Sequence, residues 1–195
     1  MPRVKPVEND EMGWFMRSLM WLARRKMGRD PMPLRMMAHN PRFLLPYACL
    51  GAFAQGRTQL PAQVRALAMH RAAHINGCSW CIDYGQAVSQ QAGTDPAKLR
   101  AVQDYAASPL FTPAERAALA YADEVTQVGG RPGDDTFAEL RRHFNDAQIV
   151  ELTAALAAEA FFNRMNAALG VEQQGFCELP AYRSPAMVAG AAAEA

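Results

Sequence analysis

The sequence has no long apolar run, no excess of charge of one sign and few segments rich in β-branched residues. Its 195 residues carry 20 basic and 19 acidic side chains, whereas nucleic-acid-binding domains usually have a marked basic excess. No segment approaches the roughly 20 consecutive apolar residues that a membrane-spanning helix needs. We therefore expect neither a nucleic-acid partner nor a membrane for this chain.

Cysteine is also scarce, because the chain has only Cys49, Cys78, Cys81 and Cys177. This is not the disulfide framework of a small secreted domain. The N-terminal segment meets acidic residues by position 8 without an apolar core, unlike a secretory signal. We expect a cytoplasmic protein, and in that reducing compartment a close cysteine pair indicates redox chemistry or a metal rather than a structural disulfide.

Helix signals recur from one end of the chain to the other, and no segment favours a strand. Thr112-Pro113-Ala114-Glu115 is a capping box, and glycines mark several helix ends. The predicted helices cover residues 11–28, 41–55, 61–75 and 79–91, a segment starting at 94–96, residues 112–125, a short segment capped by Asp134 or Asp135, and 146–169. The sequence thus predicts an all-α fold.

The segment Cys78-Ser79-Trp80-Cys81 follows the turn dipeptide Asn76-Gly77. A thiolate, not a thiol, attacks peroxides and disulfides. A cysteine at the start of a helix faces free backbone N–H groups and the positive end of the helix dipole, and both lower a thiol pKa. The other cysteine of the pair lies about one turn away and can close a disulfide after the first has reacted, so the spacing favours redox chemistry.

A zinc site is an alternative interpretation. Spacings of four, four and three would put four ligand types on one face of a continuous helix: His70, His74, Cys78 and Cys81. Such a helix rises about 1.5 Å per residue, so the outer ligands would lie roughly 16 Å apart, whereas zinc bonds are about 2.0–2.3 Å long. A kink at Asn76-Gly77 would bring His74 near the cysteines but leave a ligand missing, so we expect no metal.

Three segments carry a family resemblance. The first runs from Leu60-Pro61 to the Asn76-Gly77-Cys78-Ser79-Trp80-Cys81 motif, and the others are Ile149–Thr153 and Phe161–Gly170. Together they resemble the carboxymuconolactone decarboxylase-like superfamily over about residues 35–175. The Asn-Gly-Cys-x-x-Cys context resembles its AhpD-like alkylhydroperoxidase branch, which keeps the cysteine pair.

The resemblance implies an AhpD-like helical bundle over residues 35–183. It would be preceded by an N-terminal helical extension (1–34) and followed by a mobile alanine-rich tail (184–195). It also implies a homo-oligomer, a trimer or a hexamer. The implied activity is reduction of a small-molecule peroxide, with Cys81 attacking and Cys78 resolving. No cofactor is expected beyond a redox-active Cys78–Cys81 disulfide, recharged by a disulfide reductant protein.

The sequence departs from that branch at the positions that usually carry its proton relay. Ala66 stands where a glutamate is usual, twelve residues before Cys78, and Gly85 stands where a histidine is usual, four residues after Cys81. His74, one turn before the cysteine pair, is then the candidate general base. Glu159 belongs to a polar stripe with Asn163 and Asn166, and could replace the lost glutamate in space.

Three functions compete at this level. The first is a thiol-dependent alkyl hydroperoxide reductase or disulfide oxidoreductase that uses the cysteine pair. The second is a non-catalytic or redox-sensing oligomer of the same fold, which the losses at Ala66 and Gly85 favour. The third, a lactone decarboxylase, does not need a cysteine pair. A reachable Cys81 beside an ionisable group would favour the first.

Overall fold

The computed structural model describes residues 2–56 and 58–182. Within those residues the fold is all-α, and none of the described helices is long and apolar enough to cross a membrane. The helices are α1 (Trp14–Met27), α2 (Met32–Met37), α3 (Leu44–Gln55), α4 (Ala62–Ile75), α5 (Ser79–Gln91), α6 (Pro96–Ala101), α7 (Pro113–Thr126), α8 (Asp134–Arg141) and α9 (Asp146–Leu169). Short 3-10 turns occur at Pro41–Phe43, Val102–Asp104, Phe176–Glu178 and Pro180–Tyr182.

Side-chain caps explain the starts of several helices. The capping box predicted at Thr112 forms at the start of α7, and Asn145 forms a second one with Gln148 at the start of α9. α8 differs from the prediction, because Gly133 occupies the N-cap position and the two aspartates lie inside the first turn. α2 was not predicted at all, since six residues are too few to show a helical period.

The core falls into clusters around the long helices. One is rich in methionine and surrounds the cysteine pair, with Met16, Met20, Met36 and Phe176 among its buried members. A second joins α4, α7 and α9 around fully buried leucines such as Leu152. The cysteine pair therefore lies inside a packed apolar environment rather than on a surface loop.

The predicted limits between the 1–34 extension and the 35–183 domain stay predictions, and the predicted 184–195 tail lies outside the described residues. The segment after α9 returns to the cysteine helix, where Asp83 of α5 holds it. The Asp83 carboxylate accepts the backbone N–H of Gln174 at 2.8 Å and that of Cys177 at 3.0 Å. Burial acts to raise the pKa of Asp83, but these backbone donors outweigh it and lower the pKa below its ordinary value.

Asp83→Asn should therefore destabilise the protein in a pH-dependent way. At neutral pH we expect a loss of about 1.5–3 kcal/mol in the free energy of unfolding, because hydrogen bonds to a charged acceptor contribute about that much. Since the folded-state pKa is depressed, the stabilisation is present above the unfolded value near 4 and disappears as pH falls through the folded value. Urea unfolding of both proteins across the acid range measures this.

The exposed Asp10 provides the matched control, because its carboxylate makes no hydrogen bond with the described residues. Asp10→Asn should leave the unfolding curve unchanged. A stability gap between wild type and Asp83→Asn that stays constant below pH 4 would contradict the assignment.

Candidate active site around Cys78 and Cys81

A break between α4 and α5 positions the two cysteines. Gly77 has a φ of +64°, a conformation that side-chain-bearing residues rarely adopt, and it turns the chain so that Cys78 becomes the N-cap of α5. The backbone N–H of Cys81 donates to Cys78 Sγ at 3.2 Å. The two sulfurs form a disulfide, with their Cα atoms 5.3 Å apart. The structure is therefore that of the oxidised form.

α9 supplies the polar side of the site through the predicted stripe. Asn166 is buried, and its Nδ2 lies 3.4 Å from Cys81 Sγ and 3.8 Å from Cys78 Sγ. One helical turn earlier, Asn163 donates to Glu159 Oε1 at 2.6 Å and accepts from the Asn76 side chain at 2.9 Å. The stripe thus links the turn before the cysteines, the sulfurs and a buried carboxyl.

Glu159 is the ionisable group of this stripe. Burial raises the pKa of its carboxyl to about 7, against the opposing effect of the Asn163 hydrogen bond. A carboxyl with that pKa exchanges a proton readily at neutral pH, as a general acid or base must.

A cavity of about 640 Å³ joins Cys81 and Glu159. Cys81 is among its lining residues, whereas Cys78 is not. Much of the wall is aromatic or aliphatic, and its members include Leu34, Tyr47, Trp80, Tyr84, Phe162 and Tyr182. Trp80 stacks on Tyr84 with ring centroids 4.9 Å apart, which stiffens the wall beside Cys81. The volume suits a small organic molecule with an apolar body.

The two positions that depart from the family pattern both line this cavity. Ala66 of α4 and Gly85 of α5 contribute little or no side chain. A Cβ built on Gly85 would meet only His70 Nδ1, at 4.0 Å. The usual glutamate and histidine are therefore not replaced by other ionisable side chains at positions 66 and 85, and this leaves space next to Cys81.

The predicted base, His74, lies elsewhere. Among the described residues its side-chain hydrogen bond is with His70, at 3.3 Å between the Nε2 atoms, and it makes none with either sulfur. It is partly exposed and does not line the cavity, whereas the buried His70 does. The structure thus brings Cys81, Cys78 and Glu159 together at one site. His74 is connected to that site only through its contact with His70.

Sequence analysis missed the three tyrosines of the wall, Tyr47, Tyr84 and Tyr182. Burial, followed by the charges of Glu159 and Tyr84, raises the pKa of Tyr47, and burial also raises the pKa of Tyr84. Both phenols therefore stay protonated at physiological pH and can donate hydrogen bonds into the cavity. Only the spacing of Trp80 and Tyr84, four residues apart on one helix, gave a sequence signal for this wall.

In the part of the chain that the structure describes, no three His, Cys, Asp or Glu side chains form a metal-binding group.

Comparison with known proteins gives a consistent family. Residues 46–124 match the carboxymuconolactone decarboxylase family profile. The uncharacterized protein YnjA of Escherichia coli (strain K12) is 33% identical over 172 residues, which covers 87% of this chain and 94% of YnjA.

Two solved structures share the fold. A protein of unknown function from Agrobacterium tumefaciens, described as a candidate AhpD antioxidant defence protein, has a TM-score of 0.67 and 28% identity, covering 71% of this chain and 95% of its own. An uncharacterized peroxidase-related protein with an alkylhydroperoxidase AhpD core, from Ralstonia eutropha JMP134, has a TM-score of 0.78 and 20% identity, covering 90% and 95%.

Asn166→Ala should make Cys81 a poorer nucleophile in the reduced protein. The Asn166 amide is placed to donate to the Cys81 thiolate, and loss of a donor to the charged form raises a thiol pKa. Because a hydrogen bond to a charged group contributes about 1.5–3 kcal/mol, we expect alkylation of Cys81 by iodoacetamide at neutral pH to slow about tenfold or more. Mass spectrometry of the Cys81 peptide against time measures this.

Asn40 is exposed, and its side chain makes no hydrogen bond within the described residues, so Asn40→Ala is the control and should alkylate at the wild-type rate. Equal rates for Asn166→Ala and wild type would show that the amide does not stabilise the thiolate.

Proposed function

Because the chain belongs to the carboxymuconolactone decarboxylase family, in its AhpD-like branch, we propose that it is a thiol-dependent reductase of organic hydroperoxides. Cys81 is the attacking residue in this proposal and Cys78 the resolving one. The observation that carries it is the shared cavity, which Cys81 lines together with a carboxyl whose pKa is about 7. A purely structural disulfide needs neither a cavity nor a titrating neighbour.

The first step is attack of the Cys81 thiolate on the terminal oxygen of the hydroperoxide. Glu159, as carboxylate, takes the thiol proton, and Asn166 stabilises the resulting charge on sulfur. A sulfur–oxygen bond forms as the oxygen–oxygen bond breaks, so Cys81 is oxidised to a sulfenic acid while the peroxide is reduced. The departing alkoxide takes a proton and leaves as an alcohol.

The second step closes the disulfide. Cys78 lies at the N-terminus of α5, where the backbone N–H of Cys81 can donate to its sulfur, and this placement favours its thiolate. Cys78 attacks the sulfenic sulfur, the sulfur–sulfur bond forms and hydroxide leaves as water with the proton held by Glu159. An external dithiol protein then reduces the disulfide by thiol–disulfide exchange and takes the two oxidising equivalents.

The cavity favours a bulky organic hydroperoxide over hydrogen peroxide. Hydrogen peroxide is small and polar, and it gains little from the aromatic wall around Cys81. An aryl or branched alkyl group would instead bury apolar surface against Trp80, Tyr84 and Phe162. The space left at Ala66 and Gly85 extends the room available for such a group.

We also propose that the protein acts as a homo-oligomer, a trimer or a hexamer. Its first helix supports this, because several of its large apolar side chains are exposed: Trp14, Phe15, Trp21 and Leu22. Exposed apolar patches of this kind are typical of protein–protein contacts.

Substitution of each cysteine tests the proposal. Stopped-flow mixing of the reduced protein with cumene hydroperoxide should give rapid Cys78–Cys81 disulfide formation, detected by mass spectrometry. Cys81→Ser should react no faster than a free thiol, because the attacking sulfur is gone. Cys78→Ser should stop at a Cys81 sulfenic acid that dimedone traps.

The exposed Cys49 is the matched control, and Cys49→Ser should behave as wild type. If the reduced wild-type protein is oxidised by cumene hydroperoxide no faster than a free thiol, the peroxidase proposal is wrong. Trapping of the sulfenic acid on Cys78 instead would reverse the two roles.

A substitution in the cavity wall tests the substrate size. Gly51 of α3 lines the cavity, and a Cβ there meets only Phe162, at 4.0 Å. Gly51→Leu should slow oxidation by cumene hydroperoxide about tenfold or more, since small changes of fit in an apolar pocket change rates by about 10–200-fold. Oxidation by hydrogen peroxide should stay close to the wild-type rate, and Gly51→Ala should affect neither substrate. Equal slowing of both peroxides would contradict binding of a bulky group in this cavity.

A further inference from the structure

His70 is a buried, cavity-lining side chain that the steps above do not use. It is 4% exposed, and its Nδ1 is buried without a hydrogen-bond partner in the described part of the chain. A Cβ built on Gly85 would lie 4.0 Å from that atom, so Nδ1 faces the space beside Gly85, one turn of α5 beyond Cys81. Buried polar atoms in proteins are almost always paired. An unpaired one at a cavity wall is therefore a candidate ligand contact.

His74 connects this buried imidazole to the outside. The two rings meet edge to face, with centroids 4.7 Å apart and their Nε2 atoms 3.3 Å apart. They lie one turn apart on α4, with His70 at the cavity and His74 partly exposed to solvent. One of the two facing nitrogens must carry a proton and the other a lone pair, because two lone pairs or two N–H groups would repel.

The charge state of the pair suits proton transfer. Burial, and then the nearby charge of His74, lowers the pKa of His70 to about 4. Burial and the neighbouring Arg71 lower the pKa of His74 too. His70 is therefore neutral at physiological pH, with one N–H and one free nitrogen, and can take a proton on one side while it gives one up on the other.

We propose that His70 and His74 form a proton relay from solvent to the cavity, in which His70 Nδ1–H protonates the alkoxide that leaves the hydroperoxide. This proposal rests on the proposed function, and it names the donor of the proton that the departing alkoxide takes. In the starting state His74 Nε2–H donates to His70 Nε2, which leaves the proton of His70 on Nδ1, the atom that lies beside Gly85.

The proton balance closes along this path. As the oxygen–oxygen bond breaks, the alkoxide takes the Nδ1 proton of His70 and leaves as an alcohol. His70 Nε2 takes the proton of His74 Nε2, and His74 is recharged from water at its Nδ1. Glu159 accepts the thiol proton of Cys81, whereas His70 donates the proton that the alkoxide takes. The two groups therefore handle different protons. After the alcohol leaves, exchange with water returns the pair to its starting tautomers.

The relay predicts a dependence on the leaving group. An alkoxide is strongly basic and needs a proton to leave, whereas the carboxylate released from a peracid does not. In single-turnover stopped flow, His70→Asn should oxidise about 100-fold more slowly with cumene hydroperoxide but at nearly the wild-type rate with peracetic acid. A side chain that only supports the fold would slow both reactions together.

His74→Gln is the second variant, because His74 is partly exposed and its loss is less disruptive to folding. Glutamine can still donate a hydrogen bond to His70 Nε2 but cannot pass a proton. We expect the reaction with cumene hydroperoxide to slow about tenfold or more, with the peracid rate unchanged. His143→Gln is the control, since His143, in the turn after α8, contacts a side chain four residues earlier (Glu139), as His74 contacts His70.

The outcomes separate the two proposals. If reduced wild-type protein reacts with neither oxidant faster than a free thiol, the proposed function fails. If the wild type reacts rapidly with both and each histidine variant slows both equally, or slows neither, the relay alone is overturned. Selective loss of the reaction with cumene hydroperoxide in both variants, and not in His143→Gln, supports the relay.

Discussion

The chain reversal at Gly77 is the constraint on which the site depends. If α4 continued straight into α5, Cys78 would be a mid-helix residue and its sulfur would face no free N–H groups. The left-handed conformation at Gly77 ends α4 and makes Cys78 the N-cap residue of α5. It also brings Asn76 against Asn163, so that the turn and the α9 stripe hold each other in place. One backbone conformation thus fixes both the electrostatics of the cysteines and their register against α9.

The polar groups of the site come from different helices than the family pattern suggests. α5 offers no ionisable side chain at Gly85, and α4 offers none at Ala66. A carboxyl on α9 and an imidazole one turn along α4 line the same cavity instead. Glu159 and His70 keep ionisable groups in the cavity, while the small residues Ala66 and Gly85 leave space beside Cys81. Loss of the usual residues is therefore compatible with chemistry on larger molecules, and is not by itself a sign of a degenerate protein.

Much of this could be predicted from local sequence signals. α5 and α9 begin and end where their turn and cap residues predicted, and the period of Glu159, Asn163 and Asn166 correctly indicated one polar face near the cysteines. Local signals failed where the feature depends on packing. The short α2 has no period to detect, and no spacing shows that the Nδ1 of His70 lacks a partner or that His74 lies behind it. A cavity built from several helices becomes visible only once they are packed.

Gln174 carries a consequence for how the protein can be divided. Its side-chain oxygen accepts both the Trp80 indole N–H, at 2.9 Å, and the Met32 backbone N–H, at 2.8 Å, while its amide nitrogen donates to the Asp30 carbonyl. Residues before position 35 also form part of the cavity wall, through Met27, Pro31 and Leu34 among others. The first helix and its linker are thus not a detachable module. Any shorter relative that lacks this segment would need another wall for its pocket, and the segment is a natural place for pocket shape to diverge without change to the cysteine chemistry.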